Sequence, residues 1–166
     1  MKVIFLDFDG VLNGADWLRK TQNGNVDPAG YAHYINNPCD PELVSRLNRI
    51  VATTNAKIVI SSSWRIGYTL AALRGFLKKA GFEHPHSIYD RTPRLNGADD
   101  QRGDEIQAWL DRYIETEKHH VETYVILDDD SDMKHLKHKL VQTNTLVGLQ
   151  DEHVDRAIAI LMETTK

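Results

Sequence analysis

The sequence predicts an α/β fold: one mostly parallel sheet with helices on both faces. Two observations carry this. Short apolar runs of strand length, at Val3–Leu6, Lys57–Ile60, Thr123–Leu127 and Leu140–Gln142, alternate with amphipathic stretches of helical period. Strands joined in this way by crossover helices lie parallel, with their carboxyl ends along one edge. Three of the runs also end directly in polar clusters: Asp7 and Asp9, then Ser61-Ser62-Ser63, then Asp128-Asp129-Asp130. Aspartate is a poor strand former, and a carboxylate is costly to desolvate unless it is paired, hydrogen-bonded or metal-bound. Ligands of open α/β sheets bind outside the strand carboxyl ends, so these clusters mark a candidate site.

The elements follow in order. Val3-Ile4-Phe5-Leu6 is a buried strand that runs into Asp7-Phe8-Asp9 and turns at Gly10. Gly14 to Asn37 is rich in turn formers (Asn23, Gly24, Asn25, Pro28, Gly30, Asn36) yet carries Trp17, Tyr31 and Tyr34. A long connection beside a site is usually functional, and residues 14–39 read as a flap or loop insert. Asp40-Pro41-Glu42 starts a helix as N-cap, first position and first-turn acid, with Leu43, Leu47 and Ile50 inward and Asn55 at its end. After the second strand and the serine cluster, Leu70, Leu73, Phe76 and Leu77 predict a helix closed by Gly81. A brief strand is expected near Ser87-Ile88-Tyr89. Arg102 leads into a helix with Ile106, Trp109, Leu110 and Tyr113 on one face. The third acidic strand, a basic turn from Lys134 to Lys139 and a short last strand follow. Asp151 is expected to cap a final helix carrying Val154, Ala157, Ile158 and Leu161.

Composition bounds the function. The 166 residues suit a single domain, 1–166, and 41% hydrophobic with 27% charged residues is ordinary for a globular chain. A net charge of −4 argues against a surface that grips nucleic acid everywhere, while leaving room for a local basic groove. One cysteine, Cys39, excludes an intrachain disulfide and a cysteine metal cluster. The first apolar run is too short to span a membrane and is broken by Asp7 and Asp9, so a cytoplasmic protein without membrane attachment is expected. A monomer is the favoured state. The pairs His119-His120 and His135/His138 sit in polar, partly basic surroundings and read as solvated surface rather than a zinc site.

Carboxylates converging without cysteine or histidine suit a hard cation, most naturally Mg²⁺, which takes one or two carboxylates together with substrate phosphate oxygens. Hydroxyls from Ser61 and Ser62 and a cation from Arg65 or Arg102 would complete a phosphate site. One carboxylate can then attack phosphorus while another handles the proton of the leaving oxygen.

Asp7-Phe8-Asp9-Gly10-Val11-Leu12 resembles the first motif of the haloacid dehalogenase superfamily, and the likeness covers essentially the whole chain. It implies a Rossmann-like three-layer α/β/α sandwich, with Asp7 as nucleophile, Asp9 as general acid/base and the Asp9 peptide carbonyl as a metal ligand. Ser61 after its strand resembles the second motif, a phosphate-binding hydroxyl. Arg102 before its helix resembles the third, with Arg65 and Arg94 as competitors. Leu127-Asp128-Asp129 resembles the fourth, an acidic pair for Mg²⁺; Asp129 ranks first, Asp128 second, and Asp132 stays in contention. The metal set implied is thus Asp7, Asp9, Asp128 and Asp129. Ser61 to Arg65, with Leu127 to Asp130 and Gly148-Leu149, is similar to phosphatase domains of Swiss-army-knife RNA repair proteins and of polynucleotide kinase-phosphatases.

The resemblance implies a Mg²⁺-dependent phosphohydrolase working through an aspartyl-phosphate, with nucleic-acid ends or nucleotides as its suggested substrates. The 14–39 stretch is too short for an independent cap domain, so the site is expected to be open. Trp17, Tyr31, Tyr34 and Trp64 could stack on bases, although each could equally serve packing. A phosphotransferase or phosphomutase on a small metabolite, and a catalytically idle binding module, are the alternative readings.

Overall fold

The computed structural model describes residues 1–22, 38–117 and 120–163. Among these, five strands form one all-parallel sheet: β1 Lys2–Leu6, β2 Lys57–Ile60, β3 Ile88–Arg91, β4 Thr123–Asp128 and β5 Leu140–Gln142, in the order β3-β2-β1-β4-β5. The helices are α1 Ala15–Gln22, α2 Pro41–Thr54, α3 Trp64–Gly67, α4 Leu70–Lys79, α5 Arg102–Glu117 and α6 Asp151–Met162. The expected α/β fold is therefore the fold observed.

β1 lies at the centre because it is apolar on both faces. Phe5 is level with Val59 on one neighbour and Ile126 on the other. Alternation along the strands then divides the core in two. Ile4, Leu6, Ile58, Ile60, Val125 and Leu127 face α2, α4 and α6, against Leu47, Leu77 and Val154. Val3, Phe5, Val59 and Ile126 face α5, where Trp109 meets Phe5 edge-on at 5.4 Å and stacks on Tyr113 at 5.0 Å.

Local signals position the helices. The Asp40 carboxylate accepts from Glu42 N–H at 2.9 Å, Pro41 takes the first turn, and Asn55 ends α2 in the left-handed region at φ 53°. Gly81, just past α4, has φ +92°.

Three features depart from the sequence reading. Ala15–Gln22 is a helix, although the whole connection reads as a loop; the N–H groups of Ala15 and Asp16 donate to the carbonyls of Thr145 and Leu146, so tertiary contacts satisfy its first turn. The remainder of the flap, with Tyr31 and Tyr34, lies outside the described residues, as does His119. The serine cluster leads into the short helix α3 before α4 begins. The cap of α6 is Gln150, one residue before Asp151: the Gln150 side chain takes the His153 N–H, and His153 Nδ1 accepts from Gln150 N–H at 2.9 Å. No helix of the described residues is long and apolar enough to cross a membrane.

Candidate active site

The sheet delivers the site residues at one level. Asp7 N–H donates to Leu127 O at 3.0 Å and Ser61 N–H to Leu6 O at 2.9 Å, so Asp7, Ser61 and Asp128 leave the ladder side by side. Gly10 makes the turn after β1 possible. Its φ of +67° favours glycine, and a Cβ there would collide with the Asp129 carboxylate. The loop after β5 ties down this turn, with Thr143 Oγ1 donating to Gly10 O at 2.7 Å.

Asp7, Asp128 and Asp129 each offer a carboxylate oxygen within 4.8 Å of the others. Asp7 and Asp128 are buried. Burial pushes Asp128 up to about 7, the nearby Asp7 charge adds to this, and Arg102 opposes it. Asp7 is raised as well, first by burial; Arg102 and hydrogen bonds from Ser62 and Phe8 N–H, the latter 2.8 Å long, work against the rise. Asp129 is held from outside, accepting from Thr145 Oγ1 at 2.7 Å. Asp128 Oδ2 is buried and has no hydrogen-bond partner among the described residues. An orphaned anionic oxygen beside two more carboxylates is a donor set that fits a hard divalent cation such as Mg²⁺.

Two acids stand apart from this group. The exposed Asp9 carboxylate accepts from Asn13 Nδ2 at 3.0 Å and Trp64 Nε1 at 2.7 Å, which fixes it on the rim. Asp132 secures the start of α5. Its Oδ2 accepts from Arg102 N–H at 3.1 Å and its carbonyl from Gly103 N–H at 3.2 Å.

On the phosphate side, Ser61 Oγ is buried without a partner among the described residues. Ser62 Oγ accepts from Trp64 N–H at 3.3 Å. Arg102 Nη1 lies 3.6 Å from Asp7 Oδ1 and 3.7 Å from Asp128 Oδ2, and donates to Ser61 O. Arg65 does not join this group as a phosphate ligand. Its five N–H donors meet five oxygens: Thr92 O, Ser61 O, Ser62 O, Pro93 O and Glu105 Oε2. It clamps the serine loop to the segment after β3, leaving no donor for a substrate. Arg94 is exposed, and among the described residues no ion pair joins it to the carboxylates.

Several contributors escaped the sequence reading. Trp64 stacks on Phe8 at 5.4 Å while bonding Asp9, so its role is contact with the acid as well as packing. Glu105 neutralises Arg65. Thr143 and Thr145 brace the acidic loops; the polar run Gln142 to Thr145, directly after β5, was a usable signal of the same kind as the other three clusters.

A parallel α/β sheet with an acidic, cation-ready centre and an adjoining hydroxyl-and-arginine pocket at its carboxyl edge defines a Rossmann-like domain of phosphohydrolase type. Residues 3–154 match the family described as the HAD domain in Swiss Army Knife RNA repair proteins, and the chain belongs to that family. The membership implies phosphohydrolase activity in an RNA-repair context. No curated protein and no solved structure matches the chain significantly.

Proposed function

We propose that this protein is a Mg²⁺-dependent phosphomonoesterase that acts on nucleic-acid ends through an aspartyl-phosphate on Asp7. The observation that carries the reading is the setting of Asp7: buried, 3.6 Å from a guanidinium nitrogen, and grouped with Asp128 and Asp129 beside the unpartnered Ser61 hydroxyl. The reading treats residues 1–166 as one phosphatase domain, with 14–39 as an insert beside the site.

In the first step an Asp7 carboxylate oxygen forms a bond to phosphorus. The phosphorus–oxygen bond to the leaving group breaks, and the departing oxygen takes a proton from Asp9. In the second, Asp9 takes a proton from water, the water oxygen bonds phosphorus, and the Asp7–phosphorus bond breaks to release inorganic phosphate. Ser61 and Arg102 hold phosphoryl oxygens, and Arg102 offsets the charge that would repel an anionic nucleophile. Mg²⁺ held by Asp7, Asp128, Asp129 and the Asp9 carbonyl would add positive charge against the same oxygens. Asn13 and Trp64 orient the proton carrier.

The test is turnover of p-nitrophenyl phosphate and of 5′- and 3′-phosphorylated RNA oligomers with Mg²⁺. Asp7→Asn should lose at least ~10³-fold activity. Asp9→Asn should lose on the order of 10²–10⁴-fold, and intact-mass spectrometry should find a trapped phosphoryl group on it. Full activity in Asp7→Asn would remove the nucleophile.

A further inference from the structure

One strand away from the carboxylates lies a second concave feature with no part in the chemistry above. Arg65, Ile66, Arg91, Thr92, Pro93 and Arg94 line a cavity of about 310 Å³. It opens on the same sheet edge, because Thr92 N–H donates to Ile60 O at 3.0 Å and so sits level with Ser61. Its lining contains three arginines and no acid. Glu105 offsets the buried Arg65, but Arg91 and Arg94 are exposed and have no ion pair among the described residues. Arg91 Nη1 donates to the carbonyls of Arg65 and Tyr68, which anchors that side chain over the pocket. Thr92 Oγ1 is buried with no partner among the described residues. In a chain of net charge −4, this is a local excess of positive charge around a hollow.

We propose that this groove is a second anion subsite, taking a backbone phosphodiester of a single-stranded polynucleotide whose terminal phosphate sits at Asp7. The inference rests on the phosphatase reading for the identity of the neighbouring site. Two strand spacings of about 4.8 Å separate the ends of β1 and β3, roughly three stacked nucleotides at about 3.4 Å each. A polynucleotide carries a further phosphate at a fixed remove from its end in every substrate, whereas a phosphopeptide has no obligatory second anion. Ile66 and Tyr68 are 52% and 36% exposed beside the arginines and offer apolar surface to a sugar or base.

The test has a binding arm and a turnover arm. The binding arm measures fluorescence anisotropy of a short, terminally phosphorylated single-stranded RNA without divalent metal, across a salt series. In Arg91→Ala/Arg94→Ala the affinity should fall about tenfold, and the slope of log K on log salt should become shallower by about 1.4, at about 0.7 per phosphate contact. The turnover arm compares kcat/KM for that oligomer with kcat/KM for p-nitrophenyl phosphate, and the ratio should drop about tenfold. Arg94→Glu supplies the same test if the double variant melts early. Unchanged RNA affinity and ratio would overturn the subsite, as would equal weakening of a phosphopeptide. Wild-type turnover of p-nitrophenyl phosphate with no arginine dependence on RNA refutes the groove and leaves the phosphatase. Arginine-dependent RNA binding with no turnover of any ester refutes the phosphatase and leaves the groove.

Discussion

Arg65 and Arg102 both donate Nη1 to the carbonyl oxygen of Ser61, yet the fold puts them to different uses. Arg65 spends its whole fork on backbone carbonyls and Glu105, and its side chain is 4% exposed. Arg102 is 17% exposed and stands between two buried carboxylates. Burial lowers the Arg65 pKa, and Glu105 only partly restores it. Burial also works against Arg102, but Asp7, Asp128 and Asp132 more than offset it, and its pKa is raised. A cation surrounded by neutral carbonyl oxygens is a scaffold part. A cation surrounded by acids that lack other partners belongs to a charge balance that a substrate anion and a metal can enter.

The widest separation should come from removing each in turn. Arg102→Ala should lower kcat by about 10²–10³-fold, the cost of losing one preorganised charge partner in a site of this kind. Arg65→Ala should instead lower stability by about 3–5 kcal/mol, because Glu105 is left buried without its partner and five oxygens lose a donor. Its kcat, corrected for the folded fraction, should be largely kept. Urea unfolding and steady-state kinetics on both variants check this. If folded Arg65→Ala loses kcat as Arg102→Ala does, the two arginines are not divided in this way.

The acids around Arg102 should also respond to metal and pH, whereas the Arg65–Glu105 clamp should not. The folded pKa of Asp128, about 7, lies above its ordinary value. Its contribution to stability is therefore present below about pH 4 and lost as pH rises through about 7. A divalent cation at the three carboxylates relieves that loss, while at lower pH the Asp128 proton competes with it. Mg²⁺ should raise Tm more at pH 8 than at pH 5.5, by roughly 4–8 °C, or about 2 kcal/mol for a chain of this size. Asp128→Asn should abolish the difference and Arg65→Lys should keep it. Thermal unfolding with and without Mg²⁺ at the two pH values measures this; an equal shift at both would detach Asp128 from the cation.

Much of this arrangement was legible before any coordinates, for identifiable reasons. A parallel strand buried on both faces must be a continuous apolar run, so β1, β2 and β4 announce themselves, and polar residues at their ends stand out by contrast. Asp40-Pro41 and Asn55 encode the bounds of α2 locally. The roles of the two arginines are not local. The partners of Arg65 lie as far as 40 residues along the chain, and most are backbone carbonyls, which every residue type carries. Separating Asp132 from Asp128 and Asp129 likewise needed the start of α5, 30 residues back in the chain. α1 was hidden because its first turn is satisfied by a loop about 130 residues away.

Trp64 tests the same division on its smallest scale, since it precedes Arg65 but serves the reacting side. Its ring packs on Phe8 and its Nε1–H bonds Asp9 at 2.7 Å. Phenylalanine keeps an aromatic face and removes the donor. A hydrogen bond to a charged group is worth about 1.5–3 kcal/mol, but Asn13 also holds Asp9, so Trp64→Phe should lower kcat by only about tenfold, with KM nearly unchanged. The discriminating measurement is a double-mutant cycle with Asp9→Asn. If Trp64 works through the acid, Trp64→Phe should cost almost nothing further once Asp9 is gone. An undiminished tenfold loss in that background would mean that the indole acts through the packing of the serine loop, and Trp64 would join Arg65 as part of the scaffold.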